Sequence, residues 1–278
     1  MNKIQNDLLL YLNENNYTNQ RDLSQVFNCS LGKINKELTF LNNNGYIDSY
    51  MELTERAIEL INLSTPKNAI ILAAGFGMRT VPINMDIPKA LIEIKGEPLI
   101  ERLIYQLHQA EIYDITIVVG FMKDSFEYLI DKYNVKLIYN PDYYCKNNLH
   151  SLKCAINIIS NTYIVPCDLW LKNNPFRKHE LYSWYLVSNS DTDNNNVYIN
   201  NQSEICFDKK DKNQSRLVGI SYIAFSDADR LKLNISKMCS DPSFNDSFWE
   251  GRRRCPAACP RGEGGGSHPY PARYAWWR

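Results

Sequence analysis

Ala69 to Ala73 is an unbroken apolar run, Ala-Ile-Ile-Leu-Ala, and it leads directly into Ala74-Gly75-Phe76-Gly77. A run without polar alternation fits a strand buried on both faces, the habit of a parallel sheet covered by helices. The small residues after it let the backbone approach another group closely. Glycines there can turn successive N–H groups toward one point, making a concavity that binds anions. Arg79 and Lys89 bring two cations to the same loop, where they can meet phosphate oxygens. A glycine loop alone is a weak signal. Joined to the preceding strand and to Pro88-Lys89-Ala90-Leu91, it becomes far more specific.

The rest of the chain agrees with such a sheet. Leu91 to Ile94 reads as a short extended piece, and 98–110 as a helix with its proline early, where the missing N–H does no harm. Strands are expected at 115–119, 135–139 and 162–166, and helices at 123–133 and 148–159. Alternation of strand and helix predicts an α/β fold with a mostly parallel, Rossmann-like sheet. Ligands of such sheets bind beyond the carboxyl ends of the strands, where Ala74, Gly120, Asn140 and Asp168 fall.

The pattern of apolar strand, A-A-G-x-G-x-R and P-K-A-L resembles the nucleotidyltransferase superfamily. Its members join a nucleoside triphosphate to a phosphorylated small molecule and release pyrophosphate. The resemblance covers roughly Asn68 to Glu250, with Met78 standing where the family usually has a serine or other small residue. Within the superfamily, later segments look most like bacterial phosphocholine cytidylyltransferases. The activity implied is transfer of CMP from CTP to phosphocholine, giving CDP-choline, with Mg2+ as cofactor. A sugar-1-phosphate nucleotidyltransferase and a nucleotide-sensing transcriptional regulator are the alternatives.

The resemblance also implies roles for residues. Ala73, Ala74, Gly75, Gly77 and Gly120 would line the nucleotide site, with Arg79 and Lys89 as its catalytic cations. Asp168, in Val165-Pro-Cys-Asp-Leu-Trp170, is a carboxylate just past a buried strand and matches the family's metal-holding aspartate. Glu250, closing Asp246-Ser-Phe-Trp-Glu250, takes the place of a second metal acid, with Asp246 as the fallback. Asn140-Pro-Asp-Tyr-Tyr-Cys-Lys-Asn-Asn-Leu-His-Ser-Leu152 resembles the family's N-x-x-Y…N-N-x-x-S-L segment. There Asn140, Asn147, Asn148 and Ser151 would read the base or ribose, while Asn147 and Asn148 could equally cap the helix that follows. Choline carries a permanent cation, best held by aromatic faces. Trp170 and Trp249 are singled out because they adjoin the two metal acids, while Trp184, Tyr185 and Tyr222 are further aromatic candidates. The Asn/Asp-rich stretch 189–201 departs from the family's pattern and reads as a loop.

Residues 1–64 form a separate helical unit, joined by the linker 65–67 to a transferase domain at 68–250. One helix follows Ile4 to Leu12, a short one spans 19–27, and Ser30 caps a third carrying Leu31, Ile34, Leu38 and Leu41. Tyr46 to Leu53 suggests a two-stranded wing, and 54–63 a closing helix. The unit resembles winged helix-turn-helix domains. Lys33 and Lys36 on the third helix could meet DNA, but five basic and eight acidic side chains leave the unit at net −3, poor for neutralising phosphates. Dimerisation or regulation is the other role open to it. Because Asn68 starts its own sheet, removal of 1–64 is expected to leave transfer nearly unchanged.

No apolar run approaches the roughly 20 residues of a membrane span, and the N-terminus lacks the order of a secretory signal. The eight cysteines are scattered without a C-x-x-C pair, which suits free thiols in the cytoplasm. Histidines 108, 150, 179 and 268 form no metal-spaced set. Residues 251–278 differ abruptly, with six Arg, five Gly and four Pro but no Lys, Ile, Leu, Val or Asn. They are read as a non-native or disordered tail after a shortened transferase domain, which in related architectures can precede a choline kinase domain.

Overall fold

The computed structural model describes residues 1–75, 87–188, 197–199, 205–206, 214–249 and 273–275. In chain order the elements are α1 (Lys3–Glu14), α2 (Gln20–Val26), α3 (Leu31–Asn43), α4 (Glu55–Leu63), β1 (Asn68–Ala73), β2 (Glu93–Ile94) and β3 (Glu97–Pro98). There follow α5 (Leu99–Gln109), β4 (Ile115–Val119), α6 (Tyr128–Tyr133), β5 (Lys136–Tyr139), α7 (Asn148–Cys154) and β6 (Thr162–Pro166). The remainder are β7 (Trp184–Ser188), β8 (Val197–Ile199), β9 (Ile205–Cys206), β10 (Gln214–Ile223), α8 (Phe225–Cys239) and β11 (Arg273–Ala275). Two compact units result, one of residues 1–65, 179–218 and 256–278, the other of 66–178 and 219–255.

In the first unit every helix begins on a side chain that satisfies its orphan N–H groups. Asn2 and Gln5 form a capping box on α1, Asn19 accepts from Arg21 and Asp22 on α2, and Ser30 and Thr54 cap α3 and α4. A tight turn with Asn28 in the left-handed region (φ 46°) joins α2 to α3. The end of α3 is a Schellman motif: Gly45 (φ 69°) donates to Asn42 O and Tyr46 to Leu41 O. Leu8, Leu9, Leu23, Ile34, Leu38, Leu41, Ile47 and Ala57 make one core. Leu31, in phase with that core by sequence, opens α3 and is exposed. The expected wing is reduced to one antiparallel bridge, Ile47 to Leu53.

The boundary expected after residue 64 is not where this unit ends. Leu181 packs on the helical core, and Tyr182 donates its hydroxyl to Asp7 Oδ1 at 2.9 Å. Thr65 Oγ1 meets His179 Nδ1 at 3.2 Å, and Glu180 N donates to Ser64 O. Strand β7, with Trp184 and Tyr185 wholly buried, follows at once. Within the stretch read as a loop, 197–199 is the strand β8, antiparallel to β9 and to Gln214 and Ser215 of β10. Of the tail, β11 pairs antiparallel with β7.

The second unit is the predicted α/β sheet, in the order β10-β6-β1-β4-β5. β1 runs parallel to both neighbours, Ala73 opposite Val119 on β4 and Leu72 opposite Pro166 on β6. β5 continues parallel to β4, and β10 runs antiparallel to β6. β1 and β4 are buried throughout, as two-sided cover by helices requires. Helix α5 supplies Leu99, Ile100, Leu103, Ile104 and Leu107 to that cover, and α8 supplies Ala228, Leu231 and Ile235. Two expected helices are interrupted. Residues 123–126 form a 3-10 turn before α6, and α7 stops at Cys154 before a 3-10 turn at 156–158.

Candidate active site

From β1 the chain moves outward to β4 and β5, then returns to place β6 on the other side of β1. The carboxyl ends of β1 and β6 therefore flank a topological switch point, the crevice where ligands of open α/β sheets bind. Ala73, Ala74 and Gly75 leave β1 there, and Cys167-Asp168 leaves β6. Cys167 N donates to Leu72 O at 3.3 Å, which continues the strand pairing to the rim.

Lys89 reaches the same point from a 3-10 turn, Lys89–Leu91, led in by Pro88. Its Nζ lies 3.8 Å from Asp168 Oδ2, with the side chains 24% and 47% exposed. That separation is too long for a hydrogen bond, so charge attraction holds the pair while both groups keep donor and acceptor capacity. Two residues far apart in the chain, each chosen from its local motif, thus converge. Burial pushes the neighbouring Cys167 thiol up to about 12, Asp168 adding to the rise and Lys89 opposing it. Burial thus favours the neutral thiol at Cys167.

Gly120 closes the floor beside Ala74. A Cβ there would stand 2.5 Å from Tyr143 Cβ and 2.7 Å from Ala74 O. Glycine lets the end of β4, the Tyr143 loop and the root of the glycine loop meet, and Phe121 N then donates to Ala74 O at 3.3 Å. Asn140, buried at the end of β5, donates through Nδ2 to Ser151 Oγ (3.1 Å) and accepts from Asp142 N (3.0 Å). Asn147 is the N-cap of α7, one of the two readings open to it, and its Nδ2 donates to Asp246 O at 3.2 Å. Asn148 Oδ1 accepts from the backbone of Trp249 at 2.9 Å. Both amides fasten residues 245–249 beside α7.

The aromatic candidates separate. Trp170 faces two of the chain's own cations, Lys95 Nζ at 4.8 Å and the Arg102 guanidinium at 4.7 Å from the ring centroid. Trp184, Tyr185, Tyr222 and Trp249 are buried. Gly77, Arg79 and Glu250 lie outside the described residues. Among the described residues, no three His, Cys, Asp or Glu side chains gather as a metal cage, and no helix is long and apolar enough to cross a membrane. Asp168 nonetheless has the chemistry of a magnesium ligand, a half-exposed hard oxygen donor at the crevice. Magnesium held by one or two carboxylates takes its other ligands from phosphate and water. Cys29, Cys145, Cys154, Cys167 and Cys239 are free thiols. Sequence reasoning missed Arg102 and Tyr143. Neither carried a local signal: Arg102 shares a polar face of α5 with Gln106, and Tyr143 had only its place in the asparagine-rich segment.

Residues 69–195 match the family model of the MobA-like NTP transferase domain. The chain is 34% identical over 196 residues to the choline-phosphate cytidylyltransferase of Streptococcus pneumoniae, covering 66% of this chain and 81% of that one. It is 38% identical over 188 residues to the choline-phosphate cytidylyltransferase of Haemophilus influenzae, with the same coverage of each. The solved structure of CTP:phosphocholine cytidylyltransferase from Streptococcus pneumoniae superimposes with a TM-score of 0.62 at 33% identity, over 66% of this chain and 82% of that one.

Proposed function

The chain belongs to the nucleotidyltransferase superfamily, and on that premise we propose that it transfers CMP from CTP to phosphocholine, giving CDP-choline and pyrophosphate. The single observation that carries the proposal is the meeting of Lys89 and Asp168 at the switch point, beside the glycine loop. In the reaction a phosphate oxygen of the acceptor attacks the α-phosphorus, the bond from that phosphorus to the bridging oxygen breaks, and pyrophosphate leaves. Lys89, with Arg79 from the same loop, neutralises charge that grows on the departing group. Asp168, with Glu250 as the second acid, would hold magnesium, which supplies Lewis-acid neutralisation of phosphate oxygens when bound. Ala74 and Gly75 admit the triphosphate close to the backbone, and Asn140 with Ser151 shapes the nucleoside end. The likeness to two choline-phosphate cytidylyltransferases across most of their length supports the acceptor. Pyrophosphate release, measured with four nucleoside triphosphates against phosphocholine, phosphoethanolamine and sugar 1-phosphates, tests it. CTP with phosphocholine is expected to turn over fastest. Preference for UTP or dTTP with a sugar phosphate would sink the acceptor assignment.

We further propose that the first helices are a winged helix-turn-helix module whose wing is a single bridged turn. The α2–turn–α3 geometry and the exposed Lys33, Asn35, Lys36 and Thr39 on α3 support this. With so few cations, about two to four phosphates can be engaged, and log affinity for duplex DNA should fall with log salt at a slope of about −2 to −4. Fluorescence anisotropy across a salt series checks this, and a slope twice as steep would require a basic surface that residues 1–64 lack.

A further inference from the structure

The segment that follows Asp168 is held by one face of α5. Arg102 donates through Nε to Leu171 O at 2.8 Å and through Nη2 to Lys172 O at 3.2 Å. Its guanidinium also stands 4.7 Å from the centre of the Trp170 ring. Gln106, one turn further on, adds Nε2 to Leu171 O at 3.1 Å, and Asn174 Nδ2 donates to Gln106 O at 2.7 Å. The third arm of the fork points the other way, with Arg102 Nη1 3.1 Å from Glu97 Oε2. Glu97 lies in the β2–β3 hairpin that continues from the Lys89 turn, and Leu99 N donates to Ile92 O to fix that hairpin to α5.

One side chain therefore grips both approaches to the crevice, the hairpin after Lys89 and the loop after Asp168. We propose that Arg102 is a positioning residue for nucleotidyl transfer, setting where the Asp168 carboxylate stands relative to Lys89. Guanidinium suits this task, because its donors sit in a rigid planar fork that stays charged and stacks on an aromatic face. Lysine would keep the charge but cannot reach two carbonyls and a carboxylate from one centre. The grip on Leu171 and Lys172 is to backbone oxygens, so it fixes the path of the loop rather than any side chain of it. This inference rests on the roles proposed above for Asp168 and Lys89.

Arg102→Ala, Arg102→Lys and Gln106→Ala in the full chain test it by three readouts: steady-state kinetics, thermal midpoint, and amide hydrogen exchange followed by mass spectrometry. Misplacing a catalytic group by about an ångström can lower the rate on the order of 100-fold. Arg102→Ala is expected to lower kcat to about that extent with the KM for CTP little changed, and to speed exchange selectively in 169–174. Arg102→Lys should lie between it and the wild type, and Gln106→Ala should speed exchange in the same segment with a smaller loss of kcat. Combining Arg102→Ala with Lys89→Ala should lose less than the product of the single losses, since both act on one pair. Unchanged kcat with fast exchange at 169–174 would overturn the positioning role. A loss of kcat with exchange raised evenly across 66–178 would make Arg102 merely structural. Should Arg102→Ala fail to fold, Arg102→Lys decides: a partial loss of kcat is expected, and its unchanged kcat overturns the proposal. Wild-type chain without turnover on any acceptor would defeat the transfer reading, and exchange at 169–174 would still decide whether the clamp exists.

Discussion

Asp168→Asn is expected to abolish magnesium-dependent turnover while leaving the sheet intact. The side chain is half-exposed at the end of β6, so an amide of the same shape leaves the packing of that strand undisturbed. The amide removes the negative charge that draws a hard cation to the crevice. Among the described residues, no group of three His, Cys, Asp or Glu side chains stands ready to replace it. Lys89→Ala acts on the other side of the same reaction. Losing a preorganised donor to growing charge costs about 3 kcal/mol in the transition state, on the order of 100-fold in kcat. Kinetics across a magnesium titration check both variants, with circular dichroism to confirm the fold. Near-normal turnover of Asp168→Asn at limiting magnesium would remove it from the metal site. A rise in KM alone for Lys89→Ala would make that residue a uniform binder instead.

Removal of residues 1–64 has the second large effect, on stability, a consequence separate from the near-unchanged transfer expected from sequence. Leu181 loses the core it packs on, Tyr182 loses Asp7, and Glu180 loses Ser64. Exposing one leucine costs about 1.5–3 kcal/mol at full burial, and each hydrogen bond adds about 1 kcal/mol. These losses total about 3.5–5 kcal/mol, and at roughly 2–4 °C per kcal/mol for a domain of this size the shortened chain should melt about 7–20 °C below the full one. Leu181→Ala in the full chain should reproduce part of that fall. Equal thermal midpoints for the full and shortened chains would show that 179–183 stands without the helices.

Elements fixed by local chemistry were legible. The runs at 69–73, 115–119 and 162–166 read as buried strands and are, and Ser30, read as a cap, caps α3. Asn134 (φ 55°) ends α6 in the left-handed region, and Met122 (φ 49°) turns the chain into the 3-10 segment before it, which a continuous helical reading of 123–133 could not reveal. Motif chemistry located Lys89 and Asp168 separately, but only the fold brings them to 3.8 Å. What stayed hidden depends on partners distant in sequence. Arg102 holds carbonyls 69 and 70 positions away, Trp249 N meets Asn148 across 101, and Tyr182 meets Asp7 across 175. Periodicity carries no information about such meetings, and the same arginine on a solvated face would look identical.

The dependence of the helical core on Leu181 also bears on how the chain is made. Contacts among α1 to α4 are local, so this unit can form early, whereas β1 must wait for β6, with Asn68 paired to Thr162. Between Ser64 and Leu181 lie 117 positions of chain (181 minus 64). At about 5–20 residues per second a ribosome needs roughly 6–23 s to cover them. During that interval the newborn helices present the apolar ground reserved for Leu181, a transient sticky face that a chaperone can shield and a second nascent copy can mistake for its own.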